Sequence, residues 1–393
     1  MLLRIAFLVS ALLAVTPAPA APSGSQTTPA GCNAVGSKVE MATPVPAPKA
    51  AFPPTQLQVR TPVAPVLLPS GDRNYLIYEL HLLSLAQDPF LLRAIDIIDA
   101  ASAKAQPLAR FSEADFGLIF RHLGFDEVTD LRRLGPGQTI VAFLCLSFDR
   151  NTPVPDKLRH RVALGDSYAD GPVVAVRRGP LPVLGRPVTG TGWHPRNGPH
   201  AGSHHRMGLF VADGTATISR RYAIDWRKSR EGALSSGDPR NVRSYFTYGE
   251  TVLAVADGTV LFALDGMPDN IPKTEAGFEL AVPLTIDTIA GNAIVIDLGG
   301  GQLASYSHLQ PSSLRVKTGD RVRRGQPIAK IGNSGDSRWP HLHFQVSTAI
   351  NALAGEGEPF VIDKYRINAE GKQWESRAHD FPWGDTAVVD FGP

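Results

Sequence analysis

The chain has 393 residues, more than one typical domain, and at about 150 residues per domain this length predicts two or three. Its 39 Lys and Arg residues against 37 Asp and Glu residues give a net charge of +2, which argues against a strongly basic nucleic-acid-binding protein and an acidic disordered tail. With 43% apolar residues the chain can bury real cores, while 37 Gly and 33 Pro predict many turns and short strands. Two cysteines, Cys32 and Cys145, cannot build a disulfide framework or a Cys-rich zinc site.

The first twenty residues have the pattern of a secretory signal peptide. Arg4 precedes an apolar run over 5–15 that is too short to span a bilayer, and the small residues at 18–20 offer a cleavage point. An uncleaved anchor is the alternative, and lipidation at Cys32 is disfavoured because Cys32 lies far from the apolar run. No later segment reaches the roughly 18 apolar residues of a spanning helix. We therefore expect an exported protein, periplasmic in a Gram-negative source and otherwise extracellular or in the cell wall.

Residues 21–54 are rich in Pro, Ala, Ser and Thr, which predicts a disordered tether without a packed core. Residues 55–190 are expected to form a β-sandwich-like domain, because β-forming runs at 75–82, 94–98 and 139–146 are separated by Gly and Pro. Residues 118–123 could form a short helical turn. The three histidines of this half are interpreted as structural or surface residues, so no chemistry is expected there: His81, His122 and His160.

The composition changes near residue 190. Seven of the eleven histidines lie between there and residue 343, which favours metal binding or acid–base chemistry. These seven are His194, His200, His204, His205, His308, His341 and His343.

Three local patterns carry this signal. His341 and His343 alternate along a predicted strand, so their side chains should point the same way about 6–7 Å apart. They could also simply line a polar sheet face. Asp225 lies inside an apolar β-forming stretch, where a carboxylate is costly unless it is paired or binds a metal. His308 interrupts a similar stretch, and the four residues together could supply a zinc-dependent hydrolytic centre.

Turn motifs punctuate the stretch between these residues. Residues 249–260 predict a strand, a turn at Asp257 and Gly258, and a second strand. Residues 291–301 predict another strand and turn.

Seven short sequence motifs, in their order and spacing over about residues 200–348, resemble those of the lysostaphin/LytM-type zinc metallopeptidases, which cleave peptide bonds in bacterial peptidoglycan. Biotinyl and lipoyl carriers share the Gly-Asp motif near residue 320, but they need a modified Lys at a hairpin tip, and this sequence shows no such Lys motif. They also do not account for the His341-Leu342-His343 pair. The phrases that carry the resemblance are Ala223-Ile224-Asp225, Val255-Ala256-Asp257-Gly258-Thr259-Val260, Gly291-Asn292, Tyr306-Ser307-His308-Leu309, Lys317-Thr318-Gly319-Asp320, Gly332-Asn333-Ser334-Gly335 and His341-Leu342-His343.

The resemblance implies a mainly β chain, in which an antiparallel β-sheet peptidase domain at 191–365 follows the sandwich and a tail covers 366–393. It implies that Asp225 and His343 bind Zn²⁺. It further implies that His308 and His341 flank the water on the metal, orient it and stabilise charge on the attacked carbonyl. The implied partners are peptidoglycan peptides; no nucleic acid is expected, and protein partners stay unknown.

One position departs from the family pattern, which has a His four residues before the metal-binding Asp. Here that position is Arg221, whose guanidinium has no lone pair for zinc. His205 is the best replacement, because a hairpin turning at Asp213 and Gly214 would bring it near Asp225 from a neighbouring strand. His204 or no third ligand are the alternatives.

Arg221 itself could contact a substrate carboxylate, hold Asp225 from behind, or form a structural ion pair. Some members of the family share a similar Arg-Tyr-Ala-Ile-Asp form, which indicates a subgroup with Arg in place of the first ligand His.

Two functions therefore compete. The first is a zinc metalloendopeptidase that hydrolyses peptide bonds in peptidoglycan cross-links, with His205, Asp225 and His343 as ligands. The second is a catalytically degenerate relative that binds peptidoglycan or regulates another cell-wall hydrolase. Arg221 favours the second function, whereas the presence of Asp225 and His343 favours the first.

Overall fold

A computed structural model describes residues 29–36, 52–102, 106–124, 127–369 and 373–393. The predicted signal peptide, 1–20, lies outside the described residues, as does most of the predicted tether. Among the described residues, none of the helices has the length and apolar character needed to cross a membrane.

The first half of the chain contains twelve strands and one helical turn among its described residues. In chain order they are β1 Cys32–Ala34, β2 Leu57–Arg60, β3 Leu67–Ser70, β4 Arg73–Ser84, β5 Phe90–Asp99, β6 Pro107–Ser112, α1 Phe116–Ile119, β7 Phe120–Leu123, β8 Arg133–Leu134, β9 Thr139–Asp149, β10 Lys157–Leu164, β11 Ser167–Asp170 and β12 Val174–Ala175.

These strands form two six-stranded sheets packed face to face, which confirms the predicted sandwich. One sheet has the order β1-β9-β4-β2, with β3 beside β4 and β7 beside β9. The other has the order β11-β10-β5-β6, with β12 beside β10 and β8 beside β5. The predicted helical turn at 118–123 is wrong in its second part, because residues 120–123 form β7 and pair with β9.

The first sheet is buried on both faces, which explains the weak apolar alternation of its strands. In β4, Tyr78 and Leu80 point into the sandwich core. The intervening residues point the other way, and Tyr75 and Ile77 join a second core with the C-terminal half of the chain. Glu79 lies on this second face and is only 2% exposed. The two halves are therefore packed together through β4.

A disulfide connects two strands of the sandwich. Cys32 in β1 is bonded to Cys145 in β9, and β1 runs parallel to β9. The predicted tether over 21–54 is therefore wrong for residues 32–34. These residues are ordered because the covalent bond and the ladder hold them against the sheet. An even number of cysteines in a chain with a signal-like N-terminus was the available sequence clue.

The second half of the chain contains seventeen strands and one 3₁₀ turn among its described residues. In chain order they are β13 Val183–Leu184, β14 Trp193–Arg196, β15 Phe210–Ala212, β16 Thr215–Thr217, β17 Ile224–Lys228, the 3₁₀ turn Val242–Ser244, β18 Thr251–Leu253, β19 Gly258–Leu264, β20 Ile271–Thr274, β21 Gly277–Glu279, β22 Asn292–Asp297, β23 Leu303–Leu309, β24 Arg321–Val322, β25 Pro327–Lys330, β26 Leu342–Ser347, β27 Val361–Asn368, β28 Glu375–Asp380 and β29 Val388–Asp390.

Eleven of these strands form one sheet in the order β13-β27-β29-β14-β17-β26-β23-β22-β19-β24, with β28 beside β27. Strands β17, β26 and β23 are neighbours at its centre, which places Asp225, His343 and His308 on adjacent strands. The predicted tail, 366–393, is part of this sheet, because β28 pairs with β27 and β29 pairs with both β27 and β14.

The two predicted Asp-Gly turns behave differently. Asp213 and Gly214 have φ values of 50° and 75°, as a two-residue hairpin turn requires, and join β15 to β16. Asp257 and Gly258 are not among the positive-φ residues, and the hairpin predicted there is wrong. Instead β18 pairs with β25 while β19 pairs with β22 and β24. Asp257 accepts a hydrogen bond from the backbone N–H of Arg324 at 2.7 Å, so it organises the contact with β24.

A buried ion cluster joins the two halves. Glu79 of β4 contacts the guanidinium of Arg206 and lies 2.9 Å from Nη2 of Arg221. Arg221 also lies 2.8 Å from Glu356, and Arg206 donates to the backbone carbonyl of Tyr78 at 2.9 Å. Both arginines and Glu79 are at most 2% exposed. The cluster thus fixes residues 206 and 221 against the sandwich.

Removing the charge of Glu79 should destabilise the protein strongly. Glu79→Gln leaves two buried guanidiniums without their shared carboxylate, and breaking such a pair costs about 3–5 kcal/mol. Urea unfolding followed by fluorescence measures the change in the free energy of unfolding. Glu113, which pairs with Arg93 on the surface, offers a matched control, since Glu113→Gln should cost less than about 1 kcal/mol. Equal losses in the two variants would contradict the importance of the cluster.

His160 should make the sandwich less stable in acid. Burial lowers the pKa of His160 to about 4, and its Nε2 lies 3.0 Å from the hydroxyl of Tyr78. The unfolded chain binds this proton near pH 6.5 and the folded chain only near pH 4, so the free energy of unfolding falls as the pH drops between these values. The loss should amount to about 3 kcal/mol.

The variant His160→Gln, measured by urea unfolding at pH 7 and at pH 4, should lack this part of the acid destabilisation. An unchanged difference between the two pH values would show that His160 is not its source.

Candidate metal centre and its cleft

Asp225 is the centre of the site. Alternation along β17 sends Ile224 and Trp226 into the core and Asp225 to the opposite face of the sheet, where it is only 3% exposed. The ladders set Asp225 directly opposite His343 of β26 on one side and Arg196 of β14 on the other. Residues directly opposite one another share a sheet face, so these three side chains project together.

His341 and His343 both reach this carboxylate. Nδ1 of His343 lies 3.0 Å and Nε2 of His341 lies 3.4 Å from Oδ1 of Asp225. The expected common orientation of the two imidazoles is therefore found.

His308 enters the site through an irregular backbone. Its neighbour Ser307 pairs with His343, so regular alternation would turn His308 to the far side of the sheet. Instead His308 has a φ of 63°, in the left-handed region that non-glycine residues seldom adopt. Its ring lies 4.8 Å from that of His341 and 5.9 Å from that of His343, measured between centroids. The positive φ is thus tied to the placement of this imidazole.

His205 also reaches Asp225, but not by the predicted route. Its Nε2 lies 3.5 Å from Oδ1 of Asp225, and its ring centroid lies 4.7 Å from that of His343. The hairpin around Asp213 and Gly214 covers only 210–217, and His205 lies in a turn before it. The expectation that a neighbouring strand would carry His205 opposite residues 221–223 is therefore wrong.

His204 lies beside His205, with ring centroids 4.2 Å apart. His204, His205 and Asp225 form a group whose ligand atoms all lie within 4.8 Å of one another. His204 is exposed whereas His205 is buried. The geometry thus brings both candidates for the third ligand to Asp225.

Hydrogen bonds on the far side of three imidazoles determine which ring nitrogen carries the proton. Nδ1 of His205 lies 2.9 Å from the carbonyl of Asn197, Nδ1 of His341 lies 2.8 Å from that of Trp339, and Nδ1 of His308 lies 2.8 Å from that of Ser334. A carbonyl can only accept, so each neutral ring carries its proton on Nδ1 and presents a lone pair on Nε2. For His205 and His341 this lone pair faces Asp225.

His343 has the opposite tautomer for a similar reason. Gln345 donates its amide N–H to the carbonyl of Ala352 at 3.2 Å, which leaves its Oε1 facing Nε2 of His343 at 2.8 Å. Nε2 therefore carries the proton, and the lone pair of Nδ1 faces Asp225. Neither Asn197 nor Gln345 was singled out from the sequence. For Gln345, its place two residues after His343 on one strand was an available signal.

This arrangement fits a divalent cation. When these rings are neutral, two or three imidazole lone pairs and a carboxylate oxygen face one another, and a positive charge between them relieves the repulsion. Nitrogen and carboxylate donors of this kind suit zinc, and the carbonyl and amide groups behind the rings fix them as ligands. Asn197 also donates to Oδ2 of Asp225 at 2.6 Å, which leaves Oδ1 for the cation.

The protonation states agree with this fit. Burial holds the pKa of His205 and that of His308 well below the usual range, so both rings are neutral at pH 7. The pKa of Asp225 lies well below its usual value, against the effect of burial, so this carboxyl group is ionised. Neutral imidazoles beside an ionised carboxylate are the forms that bind metal.

Arg221 takes no part in this group. Its guanidinium points to Glu79, Glu356 and the carbonyl of Gly357, and it makes no hydrogen bond to Asp225. Of the three interpretations of Arg221 from the sequence, the structural ion pair is the one found.

The imidazoles lie at the base of a cleft of about 740 Å³. Its walls carry Phe210 and Trp339 and four arginines that the sequence did not single out: Arg196, Arg220, Arg227 and Arg338. A peptide with one of its bonds against the imidazoles would extend along these walls.

Comparisons with known proteins identify similar sequences and structures. Residues 242–355 match the model of Peptidase family M23, a range that includes His308, His341 and His343 and begins after His205 and Asp225. The chain is 33% identical over 147 residues to peptidoglycan DD-endopeptidase ShyA of Vibrio cholerae, covering 36% of this chain and 31% of that protein. It is 39% identical over 56 residues to the murein hydrolase activator EnvC of Escherichia coli, covering 14% and 13%.

Among solved structures, the catalytic domain of lysostaphin from Staphylococcus simulans is similar at 20% identity, with a TM-score of 0.22, over 44% of this chain and 86% of that one. The chain spans less than a third of the length of ShyA and EnvC. The sequence matches nevertheless agree on one module, and the chain contains a Peptidase M23 domain homologous to the lysostaphin-type peptidoglycan endopeptidases.

Proposed function

We propose that the protein is a zinc metalloendopeptidase that hydrolyses peptide bonds in peptidoglycan cross-links, with His205, Asp225 and His343 as the zinc ligands. The single observation that carries this proposal is the convergence of imidazole nitrogens of His205, His341 and His343 on the buried carboxylate of Asp225. His205 is preferred to His204 because it is buried and held by Asn197, whereas His204 is exposed.

The proposed reaction uses the remaining two imidazoles. When bound, zinc supplies a Lewis acid that acidifies water and polarises the scissile carbonyl. His308 and His341 both present Nε2, with their rings 4.8 Å apart, and are suited to take a proton from the attacking water and return it to the leaving amine. Each is held by a backbone carbonyl behind it, so neither has to reorient during the reaction.

The proposed setting is the cell envelope. The signal-like N-terminus supports export, to the periplasm in a Gram-negative source and otherwise to the cell surface. The disulfide between Cys32 and Cys145 supports the same setting, since such bonds persist in oxidising compartments. ShyA, the relative described above, is a peptidoglycan DD-endopeptidase, which supports peptidoglycan peptides as the substrate.

The metal site can be tested by elemental analysis. Purified protein supplemented with zinc should retain about one ion per chain. Asn197→Ala removes a supporting hydrogen bond, and losses of this kind typically lower metal affinity roughly 10- to 100-fold. His205→Ala removes one proposed ligand itself. It should therefore lower zinc affinity by more than Asn197→Ala does.

Two variants serve as controls for the metal measurement. His194→Ala should keep the ion, because His194 is bonded to Ser229 and to the carbonyl of Ala387 instead. His204→Ala should also keep it. Zinc lost in His204→Ala but kept in His205→Ala would contradict the proposed ligand set.

The catalytic assignment can be tested on purified peptidoglycan, with released fragments identified by mass. His308→Ala and His341→Ala should each retain zinc but release fragments about 10²- to 10⁴-fold more slowly, because positioned acid–base groups contribute that much. Folding is monitored in both variants by circular dichroism. Fragments from His341→Ala equal in kind and rate to those of the wild type would show that His341 is misassigned.

A second function is favoured by one observation. Arg221 replaces a family ligand, and EnvC, a relative described above, is a murein hydrolase activator rather than a named peptidase. A catalytically inactive regulator would release no fragments by itself. Failure to bind zinc after supplementation, together with no release of fragments, would favour this regulator over the peptidase.

A further inference from the structure

Two arginines project from the sheet face that carries the proposed metal site. Arg196 lies directly opposite Asp225 in the β14–β17 ladder, and Arg227 follows Asp225 by two residues on the same strand. Both side chains therefore lie on the face of Asp225. Both are half-buried and line the cleft that holds the imidazoles.

Neither arginine has a direct ion-pair partner. Among the described residues, no carboxylate lies within 4.0 Å of the guanidinium of Arg196 or Arg227, and neither side chain donates a hydrogen bond. Nε of Arg227 is buried without a hydrogen-bond partner. By contrast, Arg338 on the same cleft is paired with Asp336.

The surroundings hold Arg227 in place without pairing with it directly. Its guanidinium carbon lies 5.2 Å from the ring centre of Trp339, a contact that orients the group and leaves its charge intact. The neighbouring carboxylate of Asp385 accepts from Nε2 of His200 at 3.2 Å rather than from either arginine. Two like charges confined at a partly desolvated wall repel each other, and an anion between them removes that cost.

We propose that Arg196 and Arg227 bind a free carboxylate of the substrate peptide close to the bond that is cut. A guanidinium matches a carboxylate with two parallel hydrogen bonds, and binding here would place the neighbouring peptide bond against the imidazoles. This inference rests on the proposed function and narrows its substrates to peptides with a carboxylate beside the scissile bond. The sequence allowed Arg221 to contact a substrate carboxylate, and this role is assigned instead to Arg196 and Arg227.

The experiment compares two synthetic cross-linked peptides, one with its free carboxylates and one with these groups converted to carboxamides. The zinc-loaded wild-type protein should cleave the carboxylate form with a kcat/KM at least tenfold higher. Arg196→Gln and Arg227→Gln should cleave both forms alike, mainly through a higher KM for the carboxylate form. Their zinc content should match that of the wild type, which separates lost recognition from a damaged metal site.

Arg338→Gln is the matched control, since it removes a cleft arginine that already has a partner, and it should keep the wild-type preference. The inference is overturned if the wild type cleaves both forms equally, or if Arg196→Gln and Arg227→Gln keep the preference. It is also overturned if Arg220→Gln, on the cleft wall beside Phe210, abolishes the preference in their place.

If the wild type cleaves neither form, the proposed function fails, and calorimetry then tests the inference separately. Wild-type protein should bind the carboxylate peptide at least tenfold more tightly than its carboxamide form, and Arg227→Gln should not discriminate. Equal wild-type affinity for the two forms would overturn the carboxylate site by itself.

Discussion

The buried carboxylate of Glu79 is the interaction on which the geometry of the site depends. It belongs to the sandwich, yet its two partners, Arg206 and Arg221, delimit the segment that leads into β17. His205 directly precedes the first of these arginines, and Asp225 follows the second by four residues. Losing one partner of a buried ion pair strongly destabilises the folded protein, so both ends of the segment are held firmly. The sandwich thus positions two groups of the site without contributing one to it.

The same cluster explains why Arg221, four residues before Asp225, does not contact it. Arg221 turns away from Asp225 toward Glu79 and Glu356, so its charge is neutralised at the interface rather than set beside a cation. Asp225 is reached instead by His205, whose neighbour Arg206 contacts Glu79 as Arg221 does. Arg221 and the segment that carries His205 are therefore linked through one residue of the other half of the chain.

The parts of the structure that could be predicted from the sequence are those governed by local periodicity. Alternation along single strands indicated that His341 and His343 share a direction and that Asp225 stands out of an apolar strand. The hairpin at Asp213 and Gly214 followed from its turn residues. By contrast, the second Asp-Gly pair, at Asp257 and Gly258, failed because the pairing of β24 with β19 overrode the local signal.

The remaining features depend on register and on distant contacts. His308 reaches the site through a positive φ that no residue pattern announces, and His205 through a loop anchored by Glu79. Arg196 faces Asp225 only because of the register between β14 and β17, and β14 is separated from β17 by the whole 197–223 segment. Such pairings arise from the fold as a whole, so the arginine-lined wall could not be found along the sequence.

The charge distribution of the cleft connects these features. Asn197 donates a hydrogen bond to Asp225, and a divalent cation at this carboxylate would leave the base of the cleft positive. Arg196 and Arg227 add positive charge on the same sheet face, and no carboxylate of the described residues lies within ion-pair distance of either. A neutral peptide would leave these guanidiniums partly desolvated and unpaired, whereas an anionic one would pair them as it binds. The wall beside the imidazoles therefore selects charge, while the imidazoles and Asp225 determine the chemistry.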